Sequence, residues 1–328
     1  MGYIAMATKG ILVTGGSGLV GAYAVAMLLE RGERPVIFDV ALNERLLNAV
    51  GVDTSKLTLI RGDMMDLPAL ISAIRDNECD RIIHLAAFLG EEVQRRPYSG
   101  VRLNFMGTIN VFEAARLEKV SRIIFPSSGT VYLGSLGEGV AKVDETIPMN
   151  PPSVYAATKA SCEFMGRAYA KRYGFEFICL RYTGGLYGPS PAALKATREI
   201  AIQQMIRAAV KGESAKISWP YGPAEILYGK DAAKGTVLAV LKDKFKDTLF
   251  HIGNGNMVSG DDIAAAIRKA FPGSEIGVIK GNNPMPYPES RAASDFSRAK
   301  EQLEYEPEYP IERAVEDYGA TLKRLENL

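Results

Sequence analysis

Histidine and cysteine are scarce in this sequence of 328 residues, and their scarcity excludes several kinds of site. The two histidines, His84 and His251, lie far apart and lack neighbours at ligand spacing, so we predict no metal site. The three cysteines, Cys79, Cys162 and Cys179, are odd in number and stand in apolar segments. We interpret them as buried, reduced thiols of a cytoplasmic protein rather than as a disulfide framework.

The sequence also lacks an excess of either charge and any long apolar run. Lys+Arg 39 against Asp+Glu 38 leaves a formal net charge of +1, so no overall field favours nucleic acid or an anionic membrane. No apolar run approaches the roughly 18 residues of a membrane-spanning helix, and the first residues lack the basic region of a secretory signal. The hydrophobic fraction of 47% is that of an ordinary folded protein with a sizeable core.

Short apolar runs alternate with longer amphipathic stretches through the first half of the chain. This alternation predicts an α/β fold with a parallel sheet covered by helices on both faces. The predicted strands cover residues 11–14, 35–39, 57–61, 81–85, 122–126 and 175–180, and the predicted helices between them cover about 19–31, 67–76, 101–117 and 155–173.

After about residue 181 the alternation weakens, and glycine and proline become frequent. Further helices are predicted over 197–210, 231–241, 261–270 and 311–325. We therefore predict a Rossmann-type, doubly wound domain over residues 8–182. A smaller substrate-binding lobe is predicted over 183–328, partly interleaved with the first domain.

A glycine-rich segment, Thr14–Gly21, lies between the first predicted strand and the helix that follows it. Glycines at this position permit a tight turn and a close approach to a pyrophosphate, whose charge the helix N-terminus stabilises. The predicted cofactor contacts of this segment are Gly15, Gly18, Leu19, Val20 and Gly21. Asp39 ends the second strand 18 residues after Gly21, where a carboxylate accepts the ribose hydroxyls and repels a 2′-phosphate. The pattern favours NAD over NADP, with a plain turn or capping role for Asp39 as the alternative.

Asp63 follows the third predicted strand, at the carboxyl edge of the sheet. A carboxylate at this edge is able to accept a hydrogen bond from the adenine amino group. It is equally able to cap the next helix. The sequence leaves both roles open.

Tyr155 and Lys159 stand four residues apart and therefore share one face of a predicted helix. A nearby ammonium favours the ionised phenol, which makes Tyr155 a usable general acid/base for interconverting an alcohol and a ketone. Ser128 follows another predicted strand and so lies at the same sheet edge, where its hydroxyl can orient the substrate oxygen.

Taken together, these motifs resemble those of the extended short-chain dehydrogenase/reductases, which include the NAD-dependent sugar epimerases and dehydratases. The resemblance extends over nearly the whole chain and adds the runs 84–87, 127–132, 180–182 and 187–189. It implies Ser128, Tyr155 and Lys159 as the catalytic set, with Lys159 also holding the nicotinamide ribose. It further implies cofactor contacts from Met64, Leu85, Ala86, Ala87 and Asn104. By the same analogy, the helices at 101–117 and 155–173 would pair two copies into a homodimer.

Several positions depart from the family pattern. Gly129 and Thr130 stand where sugar 4,6-dehydratases carry an Asp-Glu pair, which argues against dehydration. Gly184 lies where an asparagine usually contacts a nucleotide sugar, and Ala224 replaces an arginine that grips the diphosphate. Arg291 is the candidate substitute for that arginine. Small-substrate threonine dehydrogenases of the superfamily also lack it, which makes a substrate without a nucleotide credible.

We therefore predict an NAD-dependent oxidoreductase that acts on a secondary alcohol or ketone of a small polar or sugar-like substrate. The predicted substrate contacts are Phe88, Ser128, Gly129, Thr130, Thr183, Gly184, Trp219 and Arg291. Two alternatives stay open. One is a sugar or nucleotide-sugar epimerase with a transient 4-keto intermediate, which would keep its cofactor bound, and the other is a non-catalytic, NAD-responsive binding protein.

Overall fold

The computed structural model describes residues 9–137, 140, 142–189, 201–219, 222–281 and 292–327. Its strands are β1 (Gly10–Thr14), β2 (Arg34–Asp39), β3 (Thr58–Arg61), β4 (Cys79–His84), β5 (Arg122–Ser128), β6 (Lys142–Val143), β7 (Glu176–Tyr182), β8 (Gly185–Tyr187), β9 (Ala215–Trp219), β10 (Ala224–Tyr228), β11 (Leu249–Ile252), β12 (Met257–Val258), β13 (Ile276–Lys280) and β14 (Ala293–Ser294).

Helices cover most of the segments between these strands. They are α1 (Leu19–Glu30), α2 (Glu44–Ala49), α3 (Leu67–Asp76), α4 (Gly90–Arg95), α5 (Pro97–Val101), α6 (Thr108–Leu117), α7 (Val154–Tyr173), α8 (Ala201–Val210), α9 (Gly229–Leu241), α10 (Gly260–Ala270), α11 (Ser297–Leu303) and α12 (Ile311–Glu326). Among the described residues, no helix has both the length and the apolar character that crossing a membrane requires.

Seven of the strands form one parallel sheet in the order β11-β7-β5-β4-β1-β2-β3. Successive residues of its central strands enter opposite cores: Ile11 and Val13 pack in one cluster, and Leu12 packs in the other. This period of two produces two apolar faces, each covered by helices. The predicted Rossmann-type, doubly wound fold is confirmed.

The strand order reverses at β1, because β2 and β3 lie on one side of it and β4 on the other. In open α/β sheets, ligands bind beyond the carboxyl ends of the strands at such a reversal. This position is where the glycine-rich segment and the ends of β4 and β5 meet.

The second half of the chain builds a smaller lobe and also returns to the large sheet. Strand β11 pairs with β7 from residue 249 to residue 252, and α9 packs on α1. The lobe itself contains short sheets, with β10 between β8 and β12 and with β13 beside β9. Its core joins α8, α10 and α12 around buried side chains such as Ile206, Ile263 and Tyr318.

The helix predicted over 101–117 is interrupted in the structure. A π-helical turn, Arg102–Gly107, separates α5 from α6. Within it, the carbonyl oxygen of Asn104 accepts hydrogen bonds from the Thr108 hydroxyl at 2.6 Å and from the Cys162 thiol at 3.4 Å. The wider turn therefore lets side chains from two helices bond to this carbonyl, and such turns are frequent at functional sites.

Candidate active site

The predicted catalytic residues lie where β5 ends beside α7. The Lys159 ammonium donates a 2.7 Å hydrogen bond to the carbonyl oxygen of Pro126, two residues before Ser128. This bond holds the second turn of α7 against the carboxyl end of β5. The helix begins just before Tyr155, because the Ser153 hydroxyl accepts a hydrogen bond from the Ala156 N–H at 3.1 Å and caps it.

Ser128 presents a hydroxyl whose oxygen already accepts two hydrogen bonds. The Thr130 N–H donates to it at 3.2 Å, and the Thr130 hydroxyl donates to it at 3.0 Å. A hydroxyl has one donor and two acceptor positions. The proton of Ser128 is thus directed away from Thr130 and is available to a substrate oxygen.

Tyr155 lies in the first turn of α7, one helical turn before Lys159. Its side chain is partly exposed, and its ring lies beside Gly90 at the start of α4. A phenol with access to solvent and an ammonium on the same helix face can exchange a proton with a bound substrate.

Lys159 is buried, with 7% of its surface exposed, and its ammonium lies 4.8 Å from the centre of the Phe125 ring. Burial lowers the pKa of Lys159, and the nearby Glu163 carboxylate is among the groups that oppose this shift. The Pro126 carbonyl and the face of the Phe125 ring therefore contact this ammonium in place of water.

A buried ion pair lies one turn further along α7. The fully buried Glu163 carboxylate accepts hydrogen bonds from the Arg181 guanidinium at 3.0 Å on both oxygens and from the Ser127 hydroxyl at 2.6 Å. Three elements, α7, β5 and β7, are joined at this carboxylate. It holds the strand end that carries Ser128 against the helix that carries Tyr155 and Lys159.

The glycine-rich segment has the geometry that its glycines predict. Gly15 has a φ of +69°, and a Cβ there would lie 2.8 Å from the backbone nitrogen of Ala86. A Cβ at Gly21 would collide with the carbonyl oxygen of Gly15. Gly18 is the N-cap of α1, and no side chain caps the first N–H groups of this helix. This cradle fits a pyrophosphate and would be filled by any side chain.

Asp39 ends β2 next to this segment. One carboxylate oxygen accepts hydrogen bonds from the Ser17 N–H at 3.2 Å and from the Ser17 hydroxyl at 2.8 Å, and the other accepts from the Ala41 N–H at 3.1 Å. The carboxylate is partly exposed beside the predicted pyrophosphate cradle. These hydrogen bonds stabilise the local turn, and the contact of Asp39 with an adenosine ribose stays a prediction.

Asp63 and Met64 follow β3 at the same edge. The Asp63 carboxylate accepts a hydrogen bond from the Met65 N–H at 2.9 Å, whereas the N-cap of α3 is Asp66. Asp63 thus does not cap the helix, and its adenine contact stays a prediction. Met64 is buried, and a Cβ at Gly107 would touch its side chain.

The segment Leu85–Ala87 continues from β4 alongside Gly15. The Leu85 N–H donates to the carbonyl oxygen of Thr14 at 3.0 Å. Asn104 supports the end of this segment, since its amide group accepts from the Phe88 N–H at 2.7 Å and donates to the Phe88 carbonyl at 2.9 Å. Both ends of a 3%-exposed amide are thereby occupied, so the predicted direct contact of Asn104 with the cofactor finds no support in this geometry.

A cavity of about 50 Å³ lies against Ser128 on the side of the smaller lobe. Five predicted substrate contacts line it: Ser128, Gly129, Thr130, Thr183 and Gly184. Tyr132, Tyr182 and Glu225 also line it, and sequence reasoning missed them. Two of them could have been found from the sequence, because Tyr132 ends the 127–132 run and Tyr182 ends the 180–182 run.

Two predicted substrate residues lie elsewhere. Trp219 is 9% exposed and packs in the core of the smaller lobe, where a Cβ at Gly260 would touch its ring. It is not among the residues that line the cavity, and its burial agrees with a packing role, so its substrate contact stays a prediction. Arg291 lies outside the described residues. Phe88 is half-buried beside Asn104 and does not line the cavity.

The model of one protein family, described as the NAD dependent epimerase/dehydratase family, matches residues 11–253. This range includes the glycine-rich segment, Asp39 and the three predicted catalytic residues.

Curated relatives and solved structures agree with this match. A UDP-glucose 4-epimerase of Halalkalibacterium halodurans is 28% identical over 326 residues, covering 93% of each chain. A dTDP-glucose 4,6-dehydratase of Streptomyces antibioticus is 28% identical over 310 residues, covering 90% of this chain and 87% of the relative. The solved UDP-glucose 4-epimerase of Thermus thermophilus in complex with NAD superposes with a TM-score of 0.79 at 22% identity, covering 96% of this chain and 99% of that one.

Proposed function

The chain belongs to the NAD dependent epimerase/dehydratase family, a family of NAD-using enzymes, and we propose that it catalyses hydride transfer between NAD and a secondary alcohol or ketone. The substrate we propose is small and polar or sugar-like. The observation that carries this proposal is the grouping of Ser128, Tyr155 and Lys159 where β5 meets α7.

In the oxidation direction, the Ser128 hydroxyl donates a hydrogen bond to the substrate oxygen and orients it. Tyr155 then removes the proton of the substrate hydroxyl, and the Lys159 ammonium favours the ionised phenol that can do so. NAD, when bound, supplies the acceptor for the hydride that leaves the carbinol carbon. The carbon–oxygen double bond of the ketone forms as the hydride leaves for NAD and the proton leaves for Tyr155. Gly15, Gly21 and Asp39 would hold the cofactor.

The proposal is tested by offering the purified protein and NAD a panel of small sugars, polyols and hydroxy acids. We expect NADH to accumulate with at least one of them, and Tyr155→Phe to abolish that accumulation. A panel-wide lack of NADH with protein that binds NAD would contradict the proposal.

A sugar epimerase is the second candidate, because relatives such as that of Halalkalibacterium halodurans are UDP-glucose 4-epimerases. The same three residues would serve, with the ketone kept in the site and reduced again from its other side. An epimerase retains its cofactor, whereas a dehydrogenase must release NADH. Mass spectrometry of the protein after purification separates the two, since NAD that survives purification together with no net NADH would favour the epimerase. The third alternative, a non-catalytic binding protein, is set aside because the family members are enzymes.

A homodimer is also proposed, formed by the surface of α5, the π-helical turn and α7. Large apolar side chains are exposed on this surface, at Tyr98 (76%), Phe164 (60%), Tyr173 (48%) and Met106 (46%). Exposed apolar groups clustered on neighbouring helices mark association surfaces. Sedimentation should show a dimer, and Phe164→Asp should convert it to a monomer. The buried free thiols of all three cysteines fit the reducing cytoplasm, which we propose as the location.

A further inference from the structure

The cavity against Ser128 has the size of a small substituent rather than of a whole substrate. Its volume of about 50 Å³ is several times the roughly 10–15 Å³ that one water molecule requires. Because Ser128 lines it, a group that fills it would be attached close to the reacting carbon. The volume and lining of the cavity therefore help to determine which substrates the enzyme accepts.

Tyr132 provides a buried hydrogen-bonding group in this cavity. The residue is 4% exposed, and its hydroxyl lies so close to Gly129 that a Cβ there would be 2.8 Å away. Within the described part of the chain, no group hydrogen-bonds this hydroxyl; the ring contacts His251 and the Arg181 guanidinium instead. Tyr132 lines the cavity, so a ligand bound there can reach this hydroxyl and hydrogen-bond to it.

The chemistry of Tyr132 determines what that partner must be. Burial raises the pKa of its phenol, and the negative charge of Glu225 raises it further. The hydroxyl therefore stays protonated and acts as a donor. The matching group on a ligand is an oxygen acceptor such as a hydroxyl.

The charge of the cavity is set by Glu225, which is 3% exposed. Its carboxylate accepts four hydrogen bonds at 2.8–3.0 Å, from the N–H groups of Asn254 and Gly255 and from the N–H and hydroxyl of Ser294. So many donors match the acceptor capacity of an ionised carboxylate. A phosphate or carboxylate in the cavity would meet this charge at close range and be repelled.

Among the described residues that line the cavity, none carries a positive charge. Ala224, next to Glu225, has no charged group. The Arg181 guanidinium does not line the cavity and bonds to Glu163 through Nε and Nη2, while its buried Nη1 has no hydrogen-bond partner. At Gly184, with φ +78°, a Cβ would lie 2.6 Å from the carbonyl oxygen of Glu225, so no polar side chain fits there. Among the described lining residues, the polar groups are hydroxyls and one carboxylate.

We propose that this cavity binds a neutral, hydroxyl-bearing substituent of the substrate, such as a hydroxymethyl group, and that Tyr132 donates a hydrogen bond to its oxygen. This assignment deepens the proposed hydride-transfer function and rests on it for the identity of the reacting carbon. It makes Tyr132 a substrate-binding residue that distinguishes neutral sugars from substrates with an anionic group at this position.

The test is a binding measurement that does not require turnover. D-glucose and 6-deoxy-D-glucose, which lacks the terminal hydroxyl, are titrated calorimetrically into NAD-saturated wild type, Tyr132→Phe and Tyr173→Phe. Tyr173 is 48% exposed on α7 and serves as the matched control. We expect the wild type and the control to bind D-glucose about 3- to 10-fold more tightly than the deoxy sugar, as one hydrogen bond predicts. Tyr132→Phe should bind both sugars equally.

Three outcomes overturn the proposal: equal binding of both sugars by the wild type, an unchanged preference in Tyr132→Phe, or binding of UDP-glucose with none of either neutral sugar. A melting curve establishes that the variant is folded. Because no reaction is measured, a failure to form NADH would count against the proposed function while leaving this binding result intact.

Discussion

The two sides of Ser128 differ in how closely they follow the family pattern. On the side of β1 and β2, Gly15 and Gly21 leave no room for a Cβ, and Asp39 accepts a hydrogen bond from Ser17 beside them. On the side of the smaller lobe, Gly184 and Ala224 replace polar residues, and a buried carboxylate faces the cavity. In the proposed function, the retained side binds NAD for hydride transfer, and the altered side determines which substrate binds.

This difference teaches that chemistry and specificity are carried by separate parts of the fold. The cofactor side is built from one continuous stretch of parallel strands whose carboxyl ends meet by construction. The substrate side combines β7, β10 and β14, which come from distant parts of the chain. Substitutions there can change the ligand without disturbing Tyr155 or Lys159.

The largest expected effect concerns the chemistry that both sides share. Tyr155→Phe should lower kcat by about 10²–10⁴-fold, because the general acid/base is lost. The dissociation constant of NAD should stay the same, since the cradle is intact. Tyr98→Phe, at a 76%-exposed tyrosine, is the control and should keep its activity. Steady-state kinetics with fluorescence titration of NAD checks both, and equal loss in the two variants would refute the role of Tyr155.

The second prediction concerns the buried ion pair between Glu163 and Arg181. Glu163→Leu leaves the Arg181 guanidinium buried without its partner, so the free energy of unfolding should fall by about 3–5 kcal/mol. Glu113→Leu breaks a partly exposed pair with Arg116 and should cost no more than about 1 kcal/mol. Urea unfolding of both variants measures the contrast; similar losses would show that the buried pair has no special weight.

The third prediction addresses the cofactor side alone. Asp39→Ala should weaken NAD binding by about 10-fold or more, the value of a hydrogen bond to a charged group, and should reduce discrimination against NADP. The variant also removes the negative charge that would repel a 2′-phosphate, while the Ser17 hydroxyl keeps its bond to the Ala41 carbonyl. Titrations with NAD and NADP measure both dissociation constants. An unchanged preference for NAD would refute the role of Asp39 in cofactor binding.

The fourth prediction addresses the substrate side. Gly184→Asn introduces the residue type common in nucleotide-sugar enzymes, but its Cβ would press on the backbone of Glu225. We expect a loss of about 1–3 kcal/mol in unfolding free energy. Gly212→Asn is the matched control, because its φ of +70° is similar and a Cβ there meets nothing within 4 Å. Equal stability of the two variants would show that position 184 has room for a side chain.

The smallest effect compares one histidine from each side. Burial lowers the pKa of His84, on β4, and of His251, on β11, to about 3. Because the unfolded histidine takes up its proton near pH 6.5, each residue should reduce the unfolding free energy as pH falls below that value, by about 1.4 kcal/mol per pH unit. His84→Asn and His251→Asn should each flatten this slope in urea titrations between about pH 7 and pH 5. An unchanged slope in both variants would contradict the burial of the neutral rings.

The sequence predicted the first half of the fold closely, because each strand there is a short apolar run next to a long helix. The helix over 67–76 has the predicted bounds, and the strand predicted over 122–126 runs on to Ser128. The place of β11 at the edge of the large sheet was not foreseen residue by residue, since local periodicity says nothing about pairing with a strand 70 residues away. The π-helical turn was missed for a related reason, because Cys162 on another helix contributes to it.

Within the site, the sequence identified residues that belong to recognisable motifs and missed those that reach the cavity from elsewhere. Ser128 ends β5, Thr183 follows β7, and both line the cavity. Glu225 is the second residue of the buried strand β10 and was missed, because only the tertiary arrangement shows that it lines the cavity. Trp219 ends β9 and packs in the core of the smaller lobe, which its loop-like sequence context did not indicate.

We propose that this protein joins an NAD-dependent site to a cavity for a neutral substrate. The most direct test measures NADH formation and product identity in one assay, with NAD plus either a panel of small neutral sugars and polyols or UDP-glucose. We predict net NADH with a member of the neutral panel and no conversion of UDP-glucose. Conversion of UDP-glucose to its 4-epimer without net NADH, and no reaction with the neutral panel, would contradict the claim.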